Sequence, residues 1–296
     1  MTTLRFGTRK STLALAQTRL IMDAVRAAHP DYRLEIVPIV TTGDVNMKPF
    51  SQASDKFGIK GLFTQELEQA LHDGTIDAAV HSLKDVPAHV DERLPLLAFC
   101  QRDLPGDALV LRAGVDEHNL SVIGCSSARR RIQILDLFPG ARVEPVRGNV
   151  ETRLRKLDEG QFDALVLAAA GLRRLGLESR ASRFFTAEEI VPAPGQGILA
   201  VQGRAEEAKA PWLDALHDPN TSDCATAERA FSARLNGGCS APVGAYARIT
   251  GSRIELIGFF ADEARGIKLR ASLTGPREGA RALGERLAEK MLREAR

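Results

Sequence analysis

A six-residue pattern that occurs twice constrains this chain more than any other feature. Asp73-Gly74-Thr75-Ile76-Asp77-Ala78 returns about 86 residues later as Glu159-Gly160-Gln161-Phe162-Asp163-Ala164. Each copy overlaps the start of a strand-like run, IDAAVHS from Ile76 and FDALVLAAA from Phe162. The prolines of two earlier strand-like runs, Pro38 and Pro145, are offset by 107. The unequal offsets place an insertion of roughly 21 residues in the first copy, between Thr41 and Gly61, long enough to form a mobile loop. Two related domains follow. Within each, short strand-like runs alternate with helical ones, the pattern of α/β domains with largely parallel sheets.

The individual elements fit this plan. LRFGT from Leu4 reads as a strand, Ser11 to Ala28 as an amphipathic helix with Leu13, Leu20 and Ile21 on its apolar positions, and LEIVPIV from Leu34 as a strand. LFTQELEQAL from Leu62 is helical and IDAAVHS from Ile76 a third strand. The second copy gives SVIGC, a helix to about Leu137, RVEPVR, another helix, and FDALVLAAA. The last third differs. A helix from Asp223 to Leu235 stops at Asn236-Gly237-Gly238; VGAYARIT, RIELIGFFA and IKLRASLTG then form an antiparallel sheet, and a final helix begins near Arg277. The expected fold is therefore α/β, with a small α+β domain at the C-terminal end.

Charge narrows the partners. Forty basic residues against 38 acidic ones give +2, too balanced for a general nucleic-acid binder. The four cysteines, Cys100, Cys125, Cys224 and Cys239, contain no CxxC pair, so neither a zinc site nor a disulfide framework is indicated. MTTLRFGTRKS lacks the apolar core of a signal peptide, and no apolar run reaches bilayer length. A reduced, cytoplasmic protein is expected.

Two strand–turn–helix junctions carry anion-binding chemistry. Gly124-Cys125-Ser126-Ser127 precedes Ala128-Arg129-Arg130-Arg131, and GTRKS (Gly7 to Ser11) repeats the design with Arg9 and Lys10. Backbone N–H groups at a helix start favour an anion, whereas arginines there oppose the macrodipole unless an anion is bound. A capped helix with a basic surface fits the same residues. HSLKDVP (His81 to Pro87) puts Lys84-Asp85 after a strand, as a surface ion pair or as a carboxylate at the sheet edge where α/β domains bind ligands. Arg147 and Arg153 flank a helix start and Arg174 follows a strand; arginines converging on one cleft suit a ligand with several carboxylates. VPAPGQG (Val191 to Gly197) reads as a hinge or a plain loop, and Cys239 sits on a Gly-rich loop tip where most cysteines are incidental.

In order along the chain, LRFGTRKSTLALAQ, KGLFTQELE, AAVHSLKDVP, GCSSARRR, RGNVETRL, AAAGLRRLGL, VPAPGQG and ERAFSARLNGGCSAPVGAYA resemble the porphobilinogen deaminase family. The resemblance implies two lobes like those of periplasmic binding proteins and a third, smaller domain. The first covers 1–99 with 198–216 crossing back into it, the second 100–197 and the third 217–296. It implies an enzyme joining four porphobilinogens, with loss of ammonia, on a dipyrromethane cofactor held through a thioether to Cys239. Asp85 would then stabilise the cationic pyrroles and assist proton transfer. Lys84, Ser82, Ser126, Ser127, Arg129 and Arg130 would hold the cofactor. Arg9, Ser11, Arg147, Arg153 and Arg174 would take substrate carboxylates, with Phe63 stacking on the pyrroles and Lys60 on the loop. The expected protein is a monomer that binds neither nucleic acid nor membrane. One departure stands out: Cys125 replaces the threonine usual in the Gly-Thr-Ser-Ser motif. A polycarboxylate-binding protein without catalysis, or a transferase with a cysteine nucleophile, would share parts of this pattern.

Overall fold

The structure, a computed structural model, describes residues 2–42, 64–235 and 242–295. From the start, β1 (Thr3–Arg9) leads into α1 (Thr12–Ala28), then β2 (Arg33–Ile39), α2 (Gln65–His72), β3 (Ala78–Ser82) and β4 (Leu96–Phe99). Next come β5 (Asp107–Leu111), β6 (Val122–Gly124), α3 (Ala128–Leu137), β7 (Arg142–Glu144), α4 (Val150–Asp158), β8 (Ala164–Ala168), α5 (Ala169–Arg174) and β9 (Arg183–Phe184). β10 (Leu199–Gly203) follows, then α6 (Pro219–Leu235), β11 (Val243–Thr250), β12 (Arg253–Asp262), β13 (Ile267–Pro276) and α7 (Ala280–Glu294).

The chain divides into two compact units, 1–102 with 198–222, and 103–197 with 223–296. The first holds a five-stranded sheet in the order β2-β1-β3-β10-β4. β1 runs parallel to β2 and β3, while β10 enters antiparallel to β3 and β4. The second holds the matching order β7-β6-β8-β5-β9, with β5 antiparallel to β8. Each sheet is thus a parallel trio extended by two more strands, the inner one antiparallel to both its neighbours.

The duplication read from the sequence is visible in register. Gly7 lies beside Val37 and Gly124 beside Glu144, so the second strands match at an offset of 107. α2 and α4 end at His72 and Asp158, an offset of 86. Asp77 accepts the backbone N–H of Arg5 at the head of β1, and Asp163 accepts those of Ser121 and Val122 at the head of β6. Both strands have a glycine where any side chain would collide: a Cβ at Gly7 would stand 2.3 Å from Ile76, and one at Gly124 would stand 2.5 Å from Leu165 and 3.0 Å from Phe162. The expected insertion at 41–61 falls almost wholly outside the described residues, as do Lys60 and Phe63.

Burial explains the helices and corrects one reading. In α1 the buried positions are Ala14, Gln17, Thr18, Ile21, Met22 and Val25, the spacing of a single helical face. Leu20 lies off that stripe and is 50% exposed, so it is not a core residue. The stripe packs with Phe6, Val80, Val201 and Trp212 on one side of the first sheet, while Leu67, Leu71, Ile76 and Leu94 fill the other. In the second unit β11, β12 and β13 form the expected antiparallel sheet, whose core with α6 and α7 includes Phe231, Leu256, Leu283 and Leu287. This sheet's other face carries Ile257 and Phe259 against Val191 and Ile132. α6 begins at Pro219, earlier than its expected start at Asp223, and α7 begins at Ala280 after one tight turn from Arg277.

Candidate active site

The first unit gathers its chemistry at the C-terminal edge of the parallel trio. β1 ends at Arg9, and Ser11 caps α1, its Oγ accepting the Ala14 N–H at 3.3 Å. That bond leaves the hydroxyl proton of Ser11 to donate outward. β3 ends at Ser82, and Leu83–Asp85 make one tight helical turn. The result is a pocket of about 440 Å³, counting space open to solvent, lined by Arg9, Ser11, Gln17, His81, Ser82 and Asp85 among others. Gln17 holds Ser82 in place, its Nε2 donating to Ser82 Oγ at 2.9 Å. Asp85 and Lys84 are half-buried on the same turn.

His81 lies at the pocket's inner wall. It is buried, and the loss of hydration holds its pKa down at about 4; hydrogen bonding to Gln202 and the charge of Asp85 oppose this, while Arg9 adds to it. Its Nε2 is 3.0 Å from Gln202 Oε1.

The second unit repeats the turn. Ser127 caps α3, accepting the Arg130 N–H at 3.4 Å, which leaves its hydroxyl proton to donate. Ser126 donates to the carbonyl of Val146 at 2.6 Å and accepts the Val146 N–H at 3.0 Å, so it staples the next loop to the turn. Arg147, half-buried, follows at once, and Arg153 donates to Gly148 O at 2.7 Å. Partial burial and the charge of Arg130 lower the pKa of Arg153.

Arg129 and Arg130 turn inward. Arg129 donates to Val191 O at 2.6 Å and to Asp107 at 2.9 Å; Arg130 binds the other Asp107 oxygen and Gln196 Oε1. Gln196 in turn donates to Pro105 O and Asp107. The two arginines hold the Asp107 carboxyl far below the usual range despite its burial. Two cations on one carboxylate leave a net positive charge beneath the turn. Arg174, its side chain only 6% exposed, donates to Gly197 O at 2.6 Å and lies 3.4 Å from Asp103. These contacts join the 103–107 and 191–197 segments, the region read from sequence as a hinge.

Cys125 has a plain structural account. Its side chain is 5% exposed and its thiol faces Ser127 O at 3.7 Å. Thr8, which follows Gly7 as Cys125 follows Gly124, is fully buried and lies 3.3 Å from Ala14 O. The residue at this place is an interior one in both units. Cys239 lies outside the described residues. Sequence reasoning named neither Gln17, Asp107, Gln196 nor Gln202; only Gln17 left a signal, as a polar residue on the apolar face of α1.

Comparison with known proteins decides the family. The model described as "Porphobilinogen deaminase, dipyromethane cofactor binding domain" matches residues 4–211, and "Porphobilinogen deaminase, C-terminal domain" matches 222–293. The chain belongs to the porphobilinogen deaminase family. A porphobilinogen deaminase of Acetivibrio thermocellus is 47% identical over 293 residues, covering 99% of each chain. One of Chromobacterium violaceum is 43% identical, covering 97% of this chain and 93% of its own. Among solved structures, the methionine-binding protein MetQ is similar at a TM-score of 0.43 and 11% identity, covering 72% of this chain and 87% of that one.

The residues of the first pocket fit the group named in that family description. A guanidinium and two hydroxyls suit the carboxylates that pyrroles of this type carry, and one carboxylate suits pyrrole N–H groups.

Proposed function

We propose that this protein is a transferase that condenses four porphobilinogen molecules into the linear tetrapyrrole hydroxymethylbilane, releasing ammonia, on a dipyrromethane joined to Cys239. The observation that carries the reading is the pocket in which Asp85 stands with Arg9, Ser11 and Ser82. When bound, the dipyrromethane supplies a free pyrrole α-carbon as nucleophile and remains on the protein when the product leaves.

The chain's own residues then have defined work. Asp85 accepts pyrrole N–H groups and offers a fixed negative charge where positive charge develops, which is most effective when the carboxylate is held before the reaction begins. It also receives and returns protons at its Oδ atoms. Arg9, Ser11 and Ser82 hold carboxylates on the Asp85 side, with Lys84 beside them. In the other unit Ser127, Arg147 and Arg153 hold carboxylates around the α3 turn. Ser126 keeps their loop against that turn, and Arg129 and Arg130 act there through the net charge they share with Asp107. Arg174 takes a substrate carboxylate by exchanging its contacts with Gly197 O and Asp103, and Phe63 and Lys60 contact the pyrroles. The reading includes a cytoplasmic monomer. Among the described residues no helix is long and apolar enough to cross a membrane.

The test is direct. Purified protein given porphobilinogen should release ammonia and form hydroxymethylbilane. Asp85→Asn should fold with a melting temperature near wild type yet lose on the order of a hundredfold in turnover. Near-normal turnover in that variant removes Asp85 from the mechanism.

A further inference from the structure

His81, which lines the pocket with Asp85, begins a chain of polar side chains that runs through Gln202 to Glu68. Gln202, on β10, is buried; its Nε2 donates to Leu94 O at 2.9 Å and to Glu68 Oε1 at 3.1 Å. With both N–H bonds directed at acceptors, the amide cannot be flipped, so its Oε1 faces His81. An oxygen there accepts, and His81 Nε2 must therefore carry the ring proton. His81 Nδ1 is then a bare lone pair. It makes no hydrogen bond with any described residue, and His81 is among the residues that line the same pocket as Asp85. The structure thus fixes a tautomer from the neighbouring strand, with Glu68 on α2 as its far anchor.

We propose that His81 is a second substrate-contacting residue of this pocket, its Nδ1 accepting a hydrogen bond from the aminomethyl ammonium that leaves as ammonia. The proposal rests on the porphobilinogen reading above. Its chemistry explains why a neutral, weakly basic ring stands there. Cleavage of the carbon–nitrogen bond needs the nitrogen protonated, so that it departs as ammonia with the bonding pair. A strong base beside it would remove that proton and stop the reaction. A carboxylate alone would pair with the charge without fixing its direction. An imidazole buried deeply enough to be a poor base orients the N–H bond and leaves the proton where it is. Of the charged groups that reach the ring, Asp85 favours its protonation and Arg9 opposes it.

Two substitutions separate this role from a structural one. Asparagine places an amide oxygen near the position of Nδ1 and gives up the Gln202 contact. Glutamine reaches Gln202 as Nε2 does and has no acceptor at the Nδ1 position. The proposal expects His81→Gln to melt near wild type but lose at least tenfold in kcat, and His81→Asn to keep most of its kcat. Long-range proton–nitrogen NMR should show His81 with Nε2 protonated and Nδ1 bare from pH 5.5 to 8. Full kcat in His81→Gln, equal losses in two well-folded variants, or a protonated Nδ1 overturns the proposal. Should His81→Asn fail to fold, His81→Gln and the NMR tautomer decide. Failure of the wild-type protein to consume porphobilinogen would instead sink the functional reading itself, and the tautomer would still be measurable.

Discussion

Replacing Asp107 by asparagine keeps the side chain's size and removes the one charge that two buried guanidiniums share. Arg129 and Arg130 are 5% and 9% exposed in their side chains, and each lies within 3 Å of a different Asp107 oxygen. At such separations a unit-charge pair is worth about 4 kcal/mol with an effective dielectric near 20. The two attractions are offset by desolvation and by the repulsion between the arginines. Breaking a buried pair while leaving its cation behind costs about 3–5 kcal/mol in practice, and that range applies here. For a unit of this size each kcal/mol moves the melting temperature by about 2–4 °C, so Asp107→Asn should melt roughly 6–20 °C below wild type. Glu144→Gln, which breaks an exposed pair with Arg142, is the control and should change stability by less than about 1 kcal/mol. The sign with pH also follows. The Asp107 pKa is depressed on folding from its ordinary value of 3.8, so its contribution is complete above about pH 5 and is lost as pH falls through that value toward the folded one. Calorimetry at pH 7, with denaturant titrations at acid pH, checks both points. A melting temperature within about 2 °C of wild type would show that the guanidiniums do not depend on Asp107, and the reasoning would fail.

Further expectations follow from the same site. His81 titrates near 6.5 when unfolded and about 4 when folded, so the unfolded chain binds the extra proton between these values. Stability should fall by about 3 kcal/mol as pH drops from 7 to 4 and level off below; urea titrations should find that component missing from His81→Gln. Gln17→Leu, which frees Ser82 from its 2.9 Å contact, should raise KM severalfold with little change in melting temperature, as steady-state kinetics would show. Arg9→Leu, Arg147→Leu and Arg174→Leu should stall elongation at different lengths, because carboxylates accumulate as pyrroles are added; identical covalent ladders by mass spectrometry would reduce the arginines to a general positive field.

The parts of the fold that the sequence revealed are those written locally. Periodicity located α1, α3 and the three strands of the antiparallel sheet, and the offsets of 107 and 86 anticipated the matched strand orders. The strands it passed over, β4, β5, β9 and β10, are two to five residues long, and β10 directly follows the Pro/Gly-rich 191–197 segment. Their identity depends on partners elsewhere: β10 pairs with β3 across more than a hundred residues. The site divides the same way. Asp85, Arg9 and Ser82 belong to recognisable motifs. The pairing of Arg129 and Arg130 with Asp107, and of His81 with Gln202, exists only once distant strands are neighbours, and no spacing announces it. Cys125 shows the converse: a departure that looks functional in a motif is explained by burial, which the motif does not encode.

The central claim is that this chain builds tetrapyrrole on a dipyrromethane covalently held by Cys239, and intact-mass measurement of the purified protein tests it most directly. After expression with ample porphobilinogen, the mass should exceed that of the bare chain by two porphobilinogen units less two ammonia molecules. The increment should disappear in Cys239→Ala and persist in Cys100→Ala and Cys224→Ala. An unmodified wild-type mass, or an increment retained in Cys239→Ala, would contradict the account.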